Sequence, residues 1–171
     1  SPKDMVGMKY RIPNLPIFEK NARAMGATPV VVAWSEYPFA LMQGVVDGGE
    51  CSKDSYRSAG LYESAKYVAD VDYAYPVEQI CFSTQFWNSL SEEDQKVISD
   101  AAAQVASHHS ERTLDKWEED KEWLINEGGV TFCDIDRQAF IDAAEPLGKE
   151  LQDEGFFTTK DLYDQTRQFN K

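Results

Sequence analysis

The 171-residue sequence predicts an α/β fold with a parallel sheet, and three observations carry that expectation. Residues 9–51 alternate as strand, helix, strand, helix, strand, an order that builds a parallel sheet through helical crossovers. The run Pro29-Val30-Val31-Val32-Ala33-Trp34 is apolar on both faces, as a strand covered by helices on each side must be. Residues 92–127 contain neither proline nor glycine, so they can form one helix of roughly 54 Å at 1.5 Å per residue.

Taken in order, residues 10–13 are a short extended run stopped by proline. Pro16 opens a helix whose Phe18, Ala22 and Met25 share one face before Gly26 ends it. Residues 28–34 read as the buried strand. Ser35 suits a helix N-cap, Tyr37, Ala40 and Leu41 have helical spacing, and Gly44 stops that helix before a third strand at 45–49. Residues 55–66 have helical spacing with an aromatic flank, and 68–71 and 77–82 are strand candidates. Thr84 caps a short turn over 85–90. Ser91 followed by Glu92, Glu93 and Asp94 is a serine N-cap with acidic residues at the positive end of the helix dipole. The long helix it opens carries a stripe of Val97, Ala101, Val105, Leu114, Trp117, Leu124 and Ile125, with Glu118, Glu119 and Asp120 on the solvated side. The alternative is two helices broken near His108-His109. Residues 130–132 form a short strand, Asp134 or Asp136 caps a helix over 137–144, Pro146 opens or kinks another to Glu154, and Thr159 introduces a last helix over 160–169. No repeat or linker marks a second domain boundary.

Thirty acidic against seventeen basic residues give a formal charge of -13, which disfavours phosphate backbones and anionic lipid, so no nucleic-acid partner is expected. A single arginine in a cleft still acts locally, because net charge is screened within about 10 Å. No apolar run approaches a membrane span, and the start has neither a basic region nor an apolar signal region. Such an abrupt entry into the first strand suggests that something upstream has been removed. Cys51, Cys81 and Cys133, odd in number and widely spaced, indicate neither a zinc site nor a disulfide framework.

The remaining reactive groups point to no reaction. His108 and His109 project about a hundred degrees apart on a helix and do not chelate one ion. Asp70 and Asp72 alternate on a strand without a neighbour that would tune an acid or base. Asp47-Gly48-Gly49 lacks the spacing of a phosphate loop and reads as a turn. No nucleophile stands in a strained turn, so no enzyme activity, cofactor or metal is expected. Ligands of open α/β sheets bind beyond the carboxyl ends of the strands, where Arg11, Trp34, Glu50 and Cys51 fall.

Six ordered pieces carry a family resemblance: Gly7-Met8-Lys9-Tyr10-Arg11-Ile12-Pro13, Ala33-Trp34-Ser35-Glu36, and Gln43-Gly44-Val45-Val46-Asp47-Gly48-Gly49-Glu50, then Leu61-Tyr62-Glu63, Phe86-Trp87-Asn88-Ser89-Leu90 and Glu93-Asp94-Gln95-Lys96. Together they resemble the C-terminal half of the solute-binding proteins of tripartite ATP-independent periplasmic (TRAP) transporters, the DctP-type family. The resemblance implies one lobe of a type II periplasmic-binding-protein-like fold with a long lobe-spanning helix. Residues 1–171 would then be the C-terminal lobe and lobe-spanning helices, with the N-terminal lobe absent. It also implies a periplasmic receptor that closes on a small organic carboxylate and hands it to the TRAP membrane permease subunits.

The same resemblance assigns ligand-binding roles. Arg11 matches the arginine that pairs with the ligand carboxylate, for which a planar guanidinium offers two parallel donors that lysine lacks. Trp34 matches an aromatic facing the ligand, with a core tryptophan as the alternative. Cys51 stands where many members have asparagine, replacing an amide by a weak thiol donor, and Ser52 stands where proline is common. In one branch a glutamate at the position of Glu50 helps hold a cation, but that branch has tryptophan next, so Glu50 is read as hydrogen-bonded to nearby backbone and not as a metal ligand. Two other readings stay open: a small α/β enzyme using Cys51 and Glu50, which needs a thiolate-prone cysteine, and a sensor module built on the same lobe. A lone half would expose apolar surface, so a homo-oligomer is expected.

Overall fold

The computed structural model describes residues 1–72, 74 and 79–169, with the Leu114 side chain outside that description. The expected strand over 77–82 falls partly outside these residues, and positions 79–82 are not a strand.

A three-stranded parallel sheet comes first along the chain. Strand β1 (Lys9–Ile12) is central, flanked by β2 (Thr28–Val31) and β3 (Gly48–Gly49) in the order β2-β1-β3. Register pairs Arg11 with Val30 on one side and Gly49 on the other. Helix α1 (Pro16–Ala24) makes the first crossover, with proline at its start, where the missing N–H is no loss. It ends at Met25, followed by Gly26 at φ 88. The second crossover is a 3-10 turn (Trp34–Glu36) running into α2 (Tyr37–Met42). Ser35 lies inside that turn and is not an N-cap. Asp47-Gly48-Gly49 is not a turn: Asp47 N–H donates to the Lys9 carbonyl at 2.8 Å, and both glycines pair with β1.

Strand β2 is shorter and wetter than its sequence suggests. It stops at Val31, and Val31 is 57% exposed. As an edge strand it is covered on fewer sides than a central one, so its apolar run exceeds what this chain buries.

The expected helix over 55–66 is split. Helix α3 (Lys53–Ser58) ends before Gly60, whose φ of 68 suits glycine, and a 3-10 turn (Leu61–Glu63) follows. Strand β4 (Tyr67–Val68) pairs in parallel with β5 (Thr131–Phe132). Asp70 and Asp72 lie past the end of β4, held by Lys53 at 3.2 and 2.5 Å, and Arg137 reaches Asp72 at 2.9 Å. They are structural counter-charges and not a strand-borne dyad.

Helix α4 (Thr84–Ser89) is capped by Ser83, whose hydroxyl accepts from the Phe86 N–H, so the cap sits one residue before the expected Thr84. Helix α5 (Glu92–Asn126) is a single helix, about 52 Å long at 1.5 Å per residue, and Ser91 accepts from the Asp94 N–H. Its two halves differ. Among residues 91–113 none is buried, and Val97 and Val105 are 62% and 58% exposed. Further on, Trp117, Asp120 and Leu124 are buried. Asp120, expected on the solvated side, accepts from Arg57 at 2.6 Å and from Lys116, and the Arg57 guanidinium lies 3.9 Å from the Trp123 ring centre.

Helix α6 (Arg137–Asp153) is capped by Asp136 and passes through Pro146 unbroken, and α7 (Leu162–Arg167) packs back on it. The main core joins the sheet side to α5: Tyr37, Ala40, Val46, Tyr56, Leu61, Trp117, Leu124 and Val130.

Candidate functional site

Arg11 occupies the third position of the central strand, so the pleat and the register with Gly49 fix where its side chain leaves the sheet. A Cβ on Gly49 would lie 2.6 Å from Tyr37 Oη and 2.7 Å from Arg11 Cβ. Glycine there is what lets Tyr37 come in against the arginine. Glu50 and Cys51 follow directly past the end of β3.

The arginine is 4% exposed. Its Nε donates to the Val32 carbonyl at 3.0 Å and its Nη1 to Glu50 Oε1 at 3.1 Å. A charged side chain is thus among the partners of Glu50, beside the backbone bonding that the sequence led us to expect. The guanidinium carbon lies 5.4 Å from the Trp34 ring centre and 5.1 Å from that of Tyr37. Those centres are only 5.9 Å apart, so both rings lie towards one side of the guanidinium and do not sandwich it. Nη2 donates to none of the described residues, and among them no side-chain nitrogen is both buried and unpartnered. Nη2 is therefore the nitrogen at the surface of the site.

Trp34 begins the 3-10 turn and is 42% exposed, so it is not the core tryptophan that a strand end allowed. Tyr37 is 2% exposed, and burial raises its hydroxyl pKa well above the ordinary value. Burial likewise pushes the Cys51 thiol up to about 12, with Glu50 and Asp54 adding to the effect and Arg11 opposing it. Cys51 is half-buried and packs against the main core. Such a thiol stays protonated at neutral pH and supplies a weak donor. Among the described residues no group of three or more His, Cys, Asp or Glu could hold a metal ion.

All four expected residues therefore gather at the carboxyl ends of β1 and β3 and the turn after β2. Tyr37 was missed. Its signal was present, because Trp34 and Tyr37 are three residues apart across a helical turn and share a face, and a glycine inside a strand marks a close approach.

A parallel sheet with a buried arginine and an aromatic flank beyond its strand ends, attached to a long helix, defines one lobe of a periplasmic-binding-protein fold. Residues 1–154 match the model of bacterial extracellular solute-binding proteins, family 7, and the chain belongs to that family. A solute-binding protein of Roseobacter denitrificans is 35% identical over 145 residues, 85% of this chain and 44% of the relative. A solved TRAP periplasmic solute-binding protein from the same species, with bound L-galactonate, superposes at a TM-score of 0.85 with 30% identity, covering 100% of this chain and 55% of that one. One from Ochrobacterium anthropi, with bound L-fuconate, gives 0.85 and 33% identity over 96% of this chain and 53% of that one. The chain thus spans about half the length of the relatives it matches.

Proposed function

We propose that the parent of this chain is the extracytoplasmic solute-binding subunit of a TRAP transporter, taking up a small organic carboxylate and delivering it to the membrane permease. The observation that carries the reading is Arg11, a buried and braced guanidinium with Nη2 at the site surface. A carboxylate there gains charge-assisted hydrogen bonds without having to order a flexible side chain. Family membership supports the class, since its relatives bind solutes and are periplasmic by name. On this reading residues 1–171 are the C-terminal lobe and lobe-spanning helices, and the other lobe lies in the rest of the parent chain. Lobe closure around the ligand then shifts the population to the form that the permease recognises.

The exposed first half of α5 and the Phe82 and Phe86 rings, stacked with centres 6.0 Å apart, are the surface this reading gives to that other lobe. Self-association of the fragment, expected from the same exposure, has no support among the relatives. The enzyme alternative needs an activated thiolate, and a thiol pushed up to about 12 runs against it. Members of the family are binding proteins. A thermal-shift screen of the parent chain against mono-, di-, keto and sugar acids tests the proposal. Ligand at a thousandfold over Kd adds about 4 kcal/mol, several degrees in midpoint. A shift with one acid class is expected, and none with any acid would overturn it.

A further inference from the structure

Resting on the receptor reading, we infer that Tyr37 is a second ligand-binding residue of this site, whose hydroxyl donates a hydrogen bond to the carboxylate that Arg11 Nη2 holds. Tyr37 is 2% exposed, yet among the described residues its Oη makes no hydrogen bond. No side-chain oxygen among them is both shut off from solvent and unpartnered, so the little of Tyr37 that stays open includes Oη. A buried phenol is ordinarily bonded within the fold, because an unmet hydroxyl is costly to desolvate. This one is left open at a single place, and its surroundings are those of the ligand site. A Cβ on Gly49 would meet Oη at 2.6 Å and Arg11 Cβ at 2.7 Å. The hydroxyl therefore lies beside both the stem of Arg11 and the end of β3, where Glu50 and Cys51 follow.

The chemistry of the hydroxyl suits that role. Burial, with neighbouring Cys51 adding to it, raises its pKa well above the ordinary value, so Oη keeps its proton and donates. The ring that carries it is already held, with the Arg11 guanidinium carbon 5.1 Å and the Trp34 ring centre 5.9 Å from its own centre. Donating from a fixed ring costs little rotamer freedom. The ligand brings the matching acceptor: a carboxylate has about four lone-pair positions on two oxygens, and a bond from Nη2 to one oxygen leaves the other to be met. Cys51 is a protonated thiol and a weak donor, and the ion-paired carboxylate of Glu50 is an acceptor, so neither meets it. The ligand is thus an acid bound through both carboxylate oxygens, one on the charged guanidinium and one on a neutral phenol.

The test is calorimetric titration of the parent chain and its Tyr37→Phe variant with the best-binding carboxylate, beside thermal melts of both without ligand. Phenylalanine keeps the ring against Arg11 and removes only the hydroxyl. Losing a hydrogen bond to a charged group should weaken binding about tenfold or more. The ligand-free midpoint should stay within about 1 °C, because Oη has no bond within the fold to lose. Affinity unchanged in Tyr37→Phe overturns the inference while leaving the receptor reading intact. So does a loss of affinity that comes with a lower ligand-free midpoint, and so does a variant that fails to fold, since both place the bond of the hydroxyl within the protein. A wild-type parent chain that binds no acid overturns both.

Discussion

A guanidinium out of water needs its charge and its donors met; Glu50 meets the charge of Arg11, Glu50 and the Val32 carbonyl take two of its nitrogens, and Nη2 is left for a ligand. Its candidacy was legible because arginine at a strand end, within an ordered set of motif pieces, has few structural reasons to be there. The way it is braced was not legible. Tyr37 reads as one more apolar residue on a short helix, and only the sheet register, which brings Gly49 opposite Arg11, reveals that the ring packs on the arginine. Cys51 gives a residue-scale prediction. With its thiol pushed up to about 12, iodoacetamide at pH 8 should modify Cys81 and Cys133, both exposed, well before Cys51. Mass mapping of the labelled peptides reads the order, and rapid labelling of Cys51 near neutral pH would restore the enzyme alternative.

At the level of elements, the run without breakers made α5 legible as one helix, and the glycines marked most ends. Strand lengths were less legible, because the apolar run at 29–34 records what is buried in some context and not how many residues pair. Asp120 was misplaced for a related reason: an acid on a helix reads as solvated until a cation from another element is known to reach it. Arg57, on the helix that starts two residues past Cys51, does so. Burial opposes ionisation of Asp120, but its hydrogen bonds from Lys116 and Arg57 outweigh that and hold its pKa below the usual value. A depressed carboxylate pKa means the pair stabilises the fold above the unfolded value of about 3.9 and stops doing so as pH falls through the lower folded value. Asp120→Asn should therefore cost about 2 kcal/mol at pH 7, less than a fully buried pair because Arg57 and Lys116 are part-exposed. Urea melts should show that difference shrinking towards pH 3, and a difference independent of pH would mean that packing and not charge is responsible.

For the whole molecule, the sheet, the second pair of strands and the latter half of α5 make one body, and the first half of α5 extends from it with no buried residue. That imbalance was only half legible: the apolar stripe was evident, but a stripe does not say whether its cover is in the same chain. If the other lobe covers it, Val97→Lys and Val105→Lys should change the stability of this 171-residue chain by less than about 0.5 kcal/mol, as exposed substitutions do. In the parent chain each should cost about 1–3 kcal/mol through a charge placed at a packed surface. Paired denaturation curves decide this, and equal small effects in both chains would mean the stripe stays open.

The central claim, that Arg11 carries the affinity for an acid, is tested most directly by calorimetric titration of the parent chain and its Arg11→Ala and Arg11→Lys variants with the best-binding carboxylate. Removing the guanidinium should weaken binding by at least about a hundredfold, equivalent to about 2.7 kcal/mol, and lysine, lacking the planar fork, should restore only part of it. Affinity unchanged in folded Arg11→Ala would contradict the account and make the arginine a structural partner of Glu50 alone.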